Sequence, residues 1–194
     1  MLFRSSTLLW MGEEIVGGIS SFIRNIMGKR FSPLIGYFIA LVMYLPLAFL
    51  IGLLGFPTPV SVYSVTFSIA LVTFIMIHAT AIKYQKWGYF GRFVAPFWPF
   101  LPVNLLATFA PLISLSYRLL GNALSGMIIL SLVYWTTENL TNLLLGVPGL
   151  NLIGPLITPF LHAYFDVFGA MIQTLVFVFL TALFVAQEAP RDEQ

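Results

Sequence analysis

Apolar residues run along this chain in four long blocks, roughly residues 33–54, 61–82, 99–137 and 148–187. Polar positions are confined to the breaks and to a few isolated sites inside the blocks. Each block meets the about 20 residues that a helix needs to cross a hydrocarbon core. Backbone amides in lipid must be bonded within their own segment, so the pattern predicts helices. Gly55, Pro57 and Pro59 form a short break between the first two blocks, which predicts a helical hairpin. Pro96, Pro99 and Pro102 punctuate the start of the third block; Gly146, Pro148, Gly149, Gly154 and Pro155 punctuate the start of the fourth. At 1.5 Å per residue the last two would reach roughly 55–60 Å, against a core of about 30 Å. They must tilt steeply, bend, or run partly along the interface.

A different rhythm precedes the first block. Met11, Ile15, Ile19, Phe22 and Ile26 recur at spacings of three and four, while Glu13, Ser20, Arg24 and Lys29 fall elsewhere. That is an amphipathic helix suited to lying on a membrane surface. The expected architecture is an all-α integral membrane protein in one membrane domain. Residues 1–30 form the surface amphipathic helix, 31–93 a transmembrane hairpin, and 94–194 two long tilted helices.

Composition strengthens this picture. Of 194 residues, 59% are hydrophobic and 8% charged, whereas a soluble domain needs about a quarter of its residues charged. With no cysteine, disulfides and thiolate metal sites are excluded. A net charge of +2 gives no reason to expect a nucleic-acid partner. The apolar run within Met1–Trp10 is too short for a signal peptide. Arg24, Lys29 and Arg30 precede the hairpin, Lys83, Lys86 and Arg92 follow it, and its turn carries no charge. The positive-inside rule puts both basic clusters, and both chain ends, in the cytoplasm or its equivalent. Glu138 is the acid expected on the opposite side.

Arg118 breaks the pattern, because it stands deep in the third block. Its guanidinium cannot shed its proton, and a charge at bilayer depth costs at least about 2.5–3.5 kcal/mol. Asn104, Thr108, Pro111, Ser114, Arg118, Asn122 and Ser125 follow at steps of three or four, predicting a polar stripe along one helix. Close helix packing is the alternative for Ser114, Gly121 and Ser125 taken singly. A second stripe runs through Thr158, His162, Asp166, Gln173 and, less regularly, Thr181. Asp166 is the one carboxylate well inside that block and the candidate proton carrier. His162, one turn earlier, is either a relay partner or an interfacial histidine; His78 reads as interfacial. One permanent cation beside titratable groups and polar linings suits a gated proton path. No cluster of His and acids offers a metal site, no cofactor is called for, and no nucleophile has a base at catalytic spacing.

Ser114-Leu-Ser-Tyr-Arg118-Leu-Leu-Gly-Asn122, followed by Ser125-Gly126, resembles the signature of subunit a of F-type ATP synthases. Leu101-Pro-Val-Asn104-Leu resembles that family's lead-in to the same helix. Gly169-Ala-Met-Ile-Gln173-Thr-Leu-Val-Phe177 with Leu180-Thr181 resembles its last helix. Lys29-Arg-Phe-Ser-Pro33-Leu-Ile and the Pro57-Thr turn are similar to its hairpin more loosely. The resemblance implies a stator subunit of the Fo sector, not an enzyme by itself. Its two long helices lie against a ring of c subunits, alongside peripheral-stalk b subunits and other ATP synthase subunits in the lipid bilayer. It implies that Arg118 faces the ring's carboxylates and separates two proton half-channels, flanked by Asn122 and Gln173. Asp166 and His162 would carry protons, and Asn104, Ser114, Ser125 and Glu138 would line the half-channels. The rival readings are a stand-alone ion channel or transporter, and a non-conducting membrane assembly subunit. A bacterial plasma membrane is the expected location, with mitochondrial inner and plastid membranes as alternatives.

Departures from the family pattern are specific. Met127 stands where a Glu or His often lies nine residues after the arginine, and Asp166 holds the partner position. Acids are absent from Ile15 through Thr137, so one that the family often places early in the third helix is missing. Asn104 lies about one turn closer to Arg118 than the family pattern leads one to expect. The family usually begins with a further transmembrane helix, so the chain is expected to be short or truncated.

Overall fold

The computed structural model describes residues 3–94, 97–146 and 149–189. Pro96, Pro148, the last five residues and the Met11 side chain, all used in the sequence reading, lie outside the described residues. Among the described residues the chain is helical, with no strand. Its elements are α1 (Phe3–Met27), α2 (Ile35–Leu50), α3 (Tyr63–Gln85), α4 (Gly88–Val94), α5 (Leu101–Leu145), α6 (Gly154–His162) and α7 (Gly169–Gln187). Tight 3-10 turns join or extend several of them, and a π-helical turn (Ala163–Phe168) fuses α6 to α7. Four segments are long and apolar enough to cross a membrane: Lys29–Leu54, Tyr63–Gln85, Trp98–Leu145 and Gly154–Gln187. The chain is a multi-pass integral membrane protein.

The third span runs past its expected limit, to Leu145. Thr137 and Thr141 explain why: both are buried, and their hydroxyls donate to Val133 O (2.8 Å) and Thr137 O (2.7 Å) inside the helix. Hydroxyls satisfied this way do not interrupt an apolar helix. The 45 residues of α5 would extend about 67 Å if straight. Gly146, at φ 66, ends the helix, with its N–H returning to Asn142 O at 2.8 Å. α1 ends the same way at Gly28, whose φ is 83.

Two compact units are built from these helices. The first comprises Met1–Tyr44, Ile75–Leu106 and Val176–Gln194. Ile23, Met27, Phe31, Phe38, Ile77, Phe177 and Val185 are buried within it. Among the described side chains of α1, Ile23 and Met27 are buried, while Ile15, Val16 and Phe22 are exposed apolar surface suited to lipid. Glu188, just past α7, is clamped by Arg92 Nη1 at 2.8 and 2.9 Å and by Gln85 Nε2 at 2.8 Å. Arg92 also lies 5.2 Å from the Tyr89 ring centre. Burial raises the Tyr89 pKa above its ordinary value, with Arg92 opposing and Glu188 adding to the rise.

The second unit comprises Leu45–Phe74 and Ala107–Leu175. It contains the hairpin turn, most of α5, α6 and the π turn. Gly55 at φ 81 caps the turn Ile51–Leu54, and its N–H reaches Gly52 O at 3.0 Å. Phe74 stacks on Phe109 with ring centres 5.4 Å apart, and Tyr63 lies 5.7 Å from Tyr117. Gly52 has no room for a side chain, since a β-carbon there would sit 2.8 Å from Thr58 Cγ2. Gly52→Ala should therefore destabilise the chain by about 1–3 kcal/mol. Adding Thr58→Ser removes that methyl and should recover most of the loss, as thermal unfolding in detergent would register.

Candidate functional site

The last span begins with a built-in tether. Asn151 Oδ1 accepts from Gly154 N at 2.7 Å, satisfying an amide at the start of α6. Its Nδ2 donates to Tyr134 O (3.2 Å) and Thr137 Oγ1 (3.0 Å), fixing that start to α5. Pro155 sits in the first turn of α6, where its missing N–H costs nothing. Thr158 is buried and donates back to Gly154 O.

The π turn then re-aims the helix. A π turn holds one more residue than an α turn, so it shifts which faces the flanking segments present. It lies close against α5: a β-carbon on Gly126 would be 3.5 Å from Phe165 Cβ. One turn earlier on α5, Asn122 Nδ2 donates to Gly169 O at 3.4 Å. Small residues allow this approach, as in other membrane helix crossings.

Within this crossing Asp166 and His162 meet. The His162 Nδ1 to Asp166 Oδ2 distance is 2.5 Å, and both side chains are partly buried. Tyr134 Oη lies 3.1 Å from His162 Nε2. When Nδ1–H donates to the carboxylate, a neutral imidazole accepts from the tyrosine at Nε2. The three side chains form a continuous hydrogen-bonded chain reaching from α5 across to the π turn. His162 is thus hydrogen-bonded to Asp166. Tyr134 was missed. Its only signal was its place one turn before Glu138, where an aromatic reads as an interfacial anchor.

These groups open onto a cavity of about 420 Å³. Its walls include Asn122, Met127, Ser131, Tyr134, His162 and Asp166, with the hairpin turn from Gly52 to Thr58 closing another side. Met127 therefore shares a cavity with Asp166.

Arg118 lies elsewhere on α5. Leu112, Leu115, Ser116, Leu119 and Gly126 make its buried face. Ser114, Tyr117, Arg118, Gly121 and Ser125 are exposed. Arg118 has neither a hydrogen bond nor an ion pair among the described residues. The expected stripe thus divides: Ser114, Arg118 and Ser125 face outward, while Asn122 is half-buried toward Gly169 and the cavity. Asn104 belongs to the other unit, where its Nδ2 donates to Phe93 O at 3.0 Å and Arg92 O at 3.4 Å, capping α4. Ser125 Oγ donates to Asn122 O. Glu138 is exposed one turn beyond Tyr134. Gln173 is buried at 7% exposure, and its Nε2 has no hydrogen-bond partner among the described residues. No group of three or more metal-ligating side chains occurs among the described residues.

Comparison with known proteins finds one matching family, the ATP synthase A chain, over residues 3–186. The chain is 39% identical to ATP synthase subunit a of Mycoplasma genitalium over 168 residues, covering 79% of this chain and 56% of that one. The Mycoplasma pneumoniae protein of the same name gives the same identity and coverage. ATP synthase subunit a of Desulfotalea psychrophila is 30% identical over 184 residues, covering 90% and 69% respectively. The chain thus spans a little over half the length of the two Mycoplasma relatives.

The crossing at Gly126 sets a size limit. Gly126→Ala meets only ordinary contact with Phe165 and should be nearly neutral. Gly126→Leu should cost about 1–3 kcal/mol and part the helices. Crosslinking a cysteine pair placed at Asn122 and Gly169 would report the separation as a lost crosslink in the leucine variant alone.

Proposed function

Since the chain belongs to the ATP synthase A chain family, we propose that it is the stator a subunit of the Fo sector of a rotary ATP synthase, coupling proton flow to rotation of a c-ring. The observation that carries this reading is Arg118: a permanent cation within a membrane span, on the exposed face of α5, with no ion pair to an acid among the described residues. A charge so placed costs at least about 2.5–3.5 kcal/mol unless something compensates it. A ring of c subunits presenting one carboxylate after another would do so. The permanent charge attracts each ionised carboxylate and repels free protons, so protons pass only by riding the ring.

The cavity around Asp166 supplies one half-channel in this reading. The uncharged hairpin turn that closes it belongs, by the positive-inside rule, to the non-cytoplasmic side. A proton arriving past Glu138 would reach Tyr134 and His162 and pass from Nδ1 to Asp166, then move along the Asn122 wall toward the rotor. Gln173 is suited to hold water or the guanidinium; Ser114 and Ser125 line the outward face. The membrane potential supplies about 2.3 kcal/mol per proton per 100 mV. Nucleotide chemistry would occur in other subunits, and b subunits of a peripheral stalk would hold the chain still. Its relatives make a bacterial plasma membrane the natural location.

Four variants test the reading in inverted vesicles. Arg118→Gln should abolish ATP-driven proton pumping and ATP synthesis; coupling that persists would reject the stator role. Asp166→Asn should slow proton flux by about a hundredfold or more. Asp166→Glu should keep most of the flux, and Tyr134→Phe should slow it less than Asp166→Asn does. Flux in Asp166→Asn equal to the parent would remove this half-channel from the path.

A further inference from the structure

Asn151, in the turn before α6, holds three partners with one amide. Its Oδ1 accepts from Gly154 N at 2.7 Å, and its Nδ2 donates to Tyr134 O at 3.2 Å and to Thr137 Oγ1 at 3.0 Å. These roles cannot be exchanged, because a backbone N–H only donates and a carbonyl only accepts. A carboxylate of the same length would set an acceptor against the Tyr134 carbonyl. Thr137 keeps a lone pair for the amide by turning its own O–H to Val133 O at 2.8 Å. The tether thus joins the backbone of Tyr134 to the first turn of α6. Two turns on, about 12 Å along the helix, stands His162, whose Nε2 lies 3.1 Å from the hydroxyl of the same tyrosine. Both ends of that contact take their places from Asn151. Gly154 belongs to the same arrangement, since a β-carbon there would lie 2.6 Å from the Asn151 amide.

We propose that Asn151 is a positioning residue: it sets the register of α6 on α5 that brings Tyr134 and His162 together. That this contact serves proton transfer rests on the stator reading; that Asn151 controls it does not. Asn151 has no hydrogen bond to His162 or Asp166 among the described residues, so it acts through the Tyr134 backbone and the start of α6. The His162–Asp166 bond lies within the last span and survives loss of the tether. The Tyr134–His162 bond runs between helices and does not. Two substitutions break the tether by different means. Asn151→Asp keeps an acceptor for Gly154 N, and with it the satisfied helix start, but loses both donors. Gly154→Ala leaves all three partners in place and displaces the amide, because a side-chain end yields more readily than backbone.

The test uses the full chain with its accompanying subunits in membranes, its histidines labelled with nitrogen-15 for solid-state magnetic resonance. The chain has two histidines, and the signal lost in His162→Asn assigns the ring. In both Asn151→Asp and Gly154→Ala the His162 Nε2 resonance should move toward its position in Tyr134→Phe, where the bond is absent. Each variant should slow proton flux by about fivefold, the scale of one lost neutral hydrogen bond. Combined with Tyr134→Phe, each should slow it no further, because both act on one contact. An Nε2 resonance unmoved in both variants would overturn the proposal, as would slowing that multiplies with that of Tyr134→Phe. A shift in Asn151→Asp without one in Gly154→Ala would also overturn it, since the added charge would then be the cause. The resonance is read without proton flow, so the two readings fail separately. A moved resonance with parental flux in Tyr134→Phe upholds the tether and removes this contact from the proton path.

Discussion

Everything about the second unit follows from how near α5 can come to the last span. Gly126 against Phe165 and Asn122 against Gly169 hold the two helices together, and each contact uses a small or amide side chain. In lipid there is no hydrophobic drive between helices, so close packing and interhelical hydrogen bonds must do the joining. With the helices pinned there, the π turn brings Asp166 and His162 to Tyr134, and the hairpin turn covers the remaining opening. A bulkier residue at the pin would move the acid and the imidazole as well as the backbone.

The same helix presents two faces with different electrostatic consequences. One buries leucines and carries Asn122 toward a polar cavity; the other holds Arg118 outward among Ser114, Gly121 and Ser125. Titratable groups and the permanent charge are thereby kept apart within this chain, since Asp166 is engaged by His162. Had Arg118 paired with Asp166, each would have neutralised the other, leaving neither a mobile proton nor a free cation. On the proposed function this separation is what permits a rotor carboxylate to meet the guanidinium. The surrounding small residues would let another helix approach closely.

The first unit serves a different end. Glu188 binds Arg92 and Gln85, and Asn104 caps α4, so polar groups near the span ends satisfy one another. Arg30 and Lys83 both lie against the Tyr84 ring.

The sequence alone determined that this is a helical membrane protein with four spans, because apolar block length and the cost of unsatisfied amides in lipid leave little choice. It also exposed Arg118, since a charge in an apolar run needs no coordinates to be noticed, and Asp166 by the same logic. Helical spacing could not say that the α5 stripe divides, because a 3.6-residue repeat fixes an angle on one helix and not what stands opposite it. Tertiary structure decided that Asn122 turns toward Gly169 while Arg118 remains outward, and that Asn104 caps a neighbouring helix. It likewise decided that Tyr134 joins His162 and that Met127 shares Asp166's cavity. Such facts depend on contacts between residues distant in sequence and on a π turn whose extra residue shifts the register, and no local pattern encodes either.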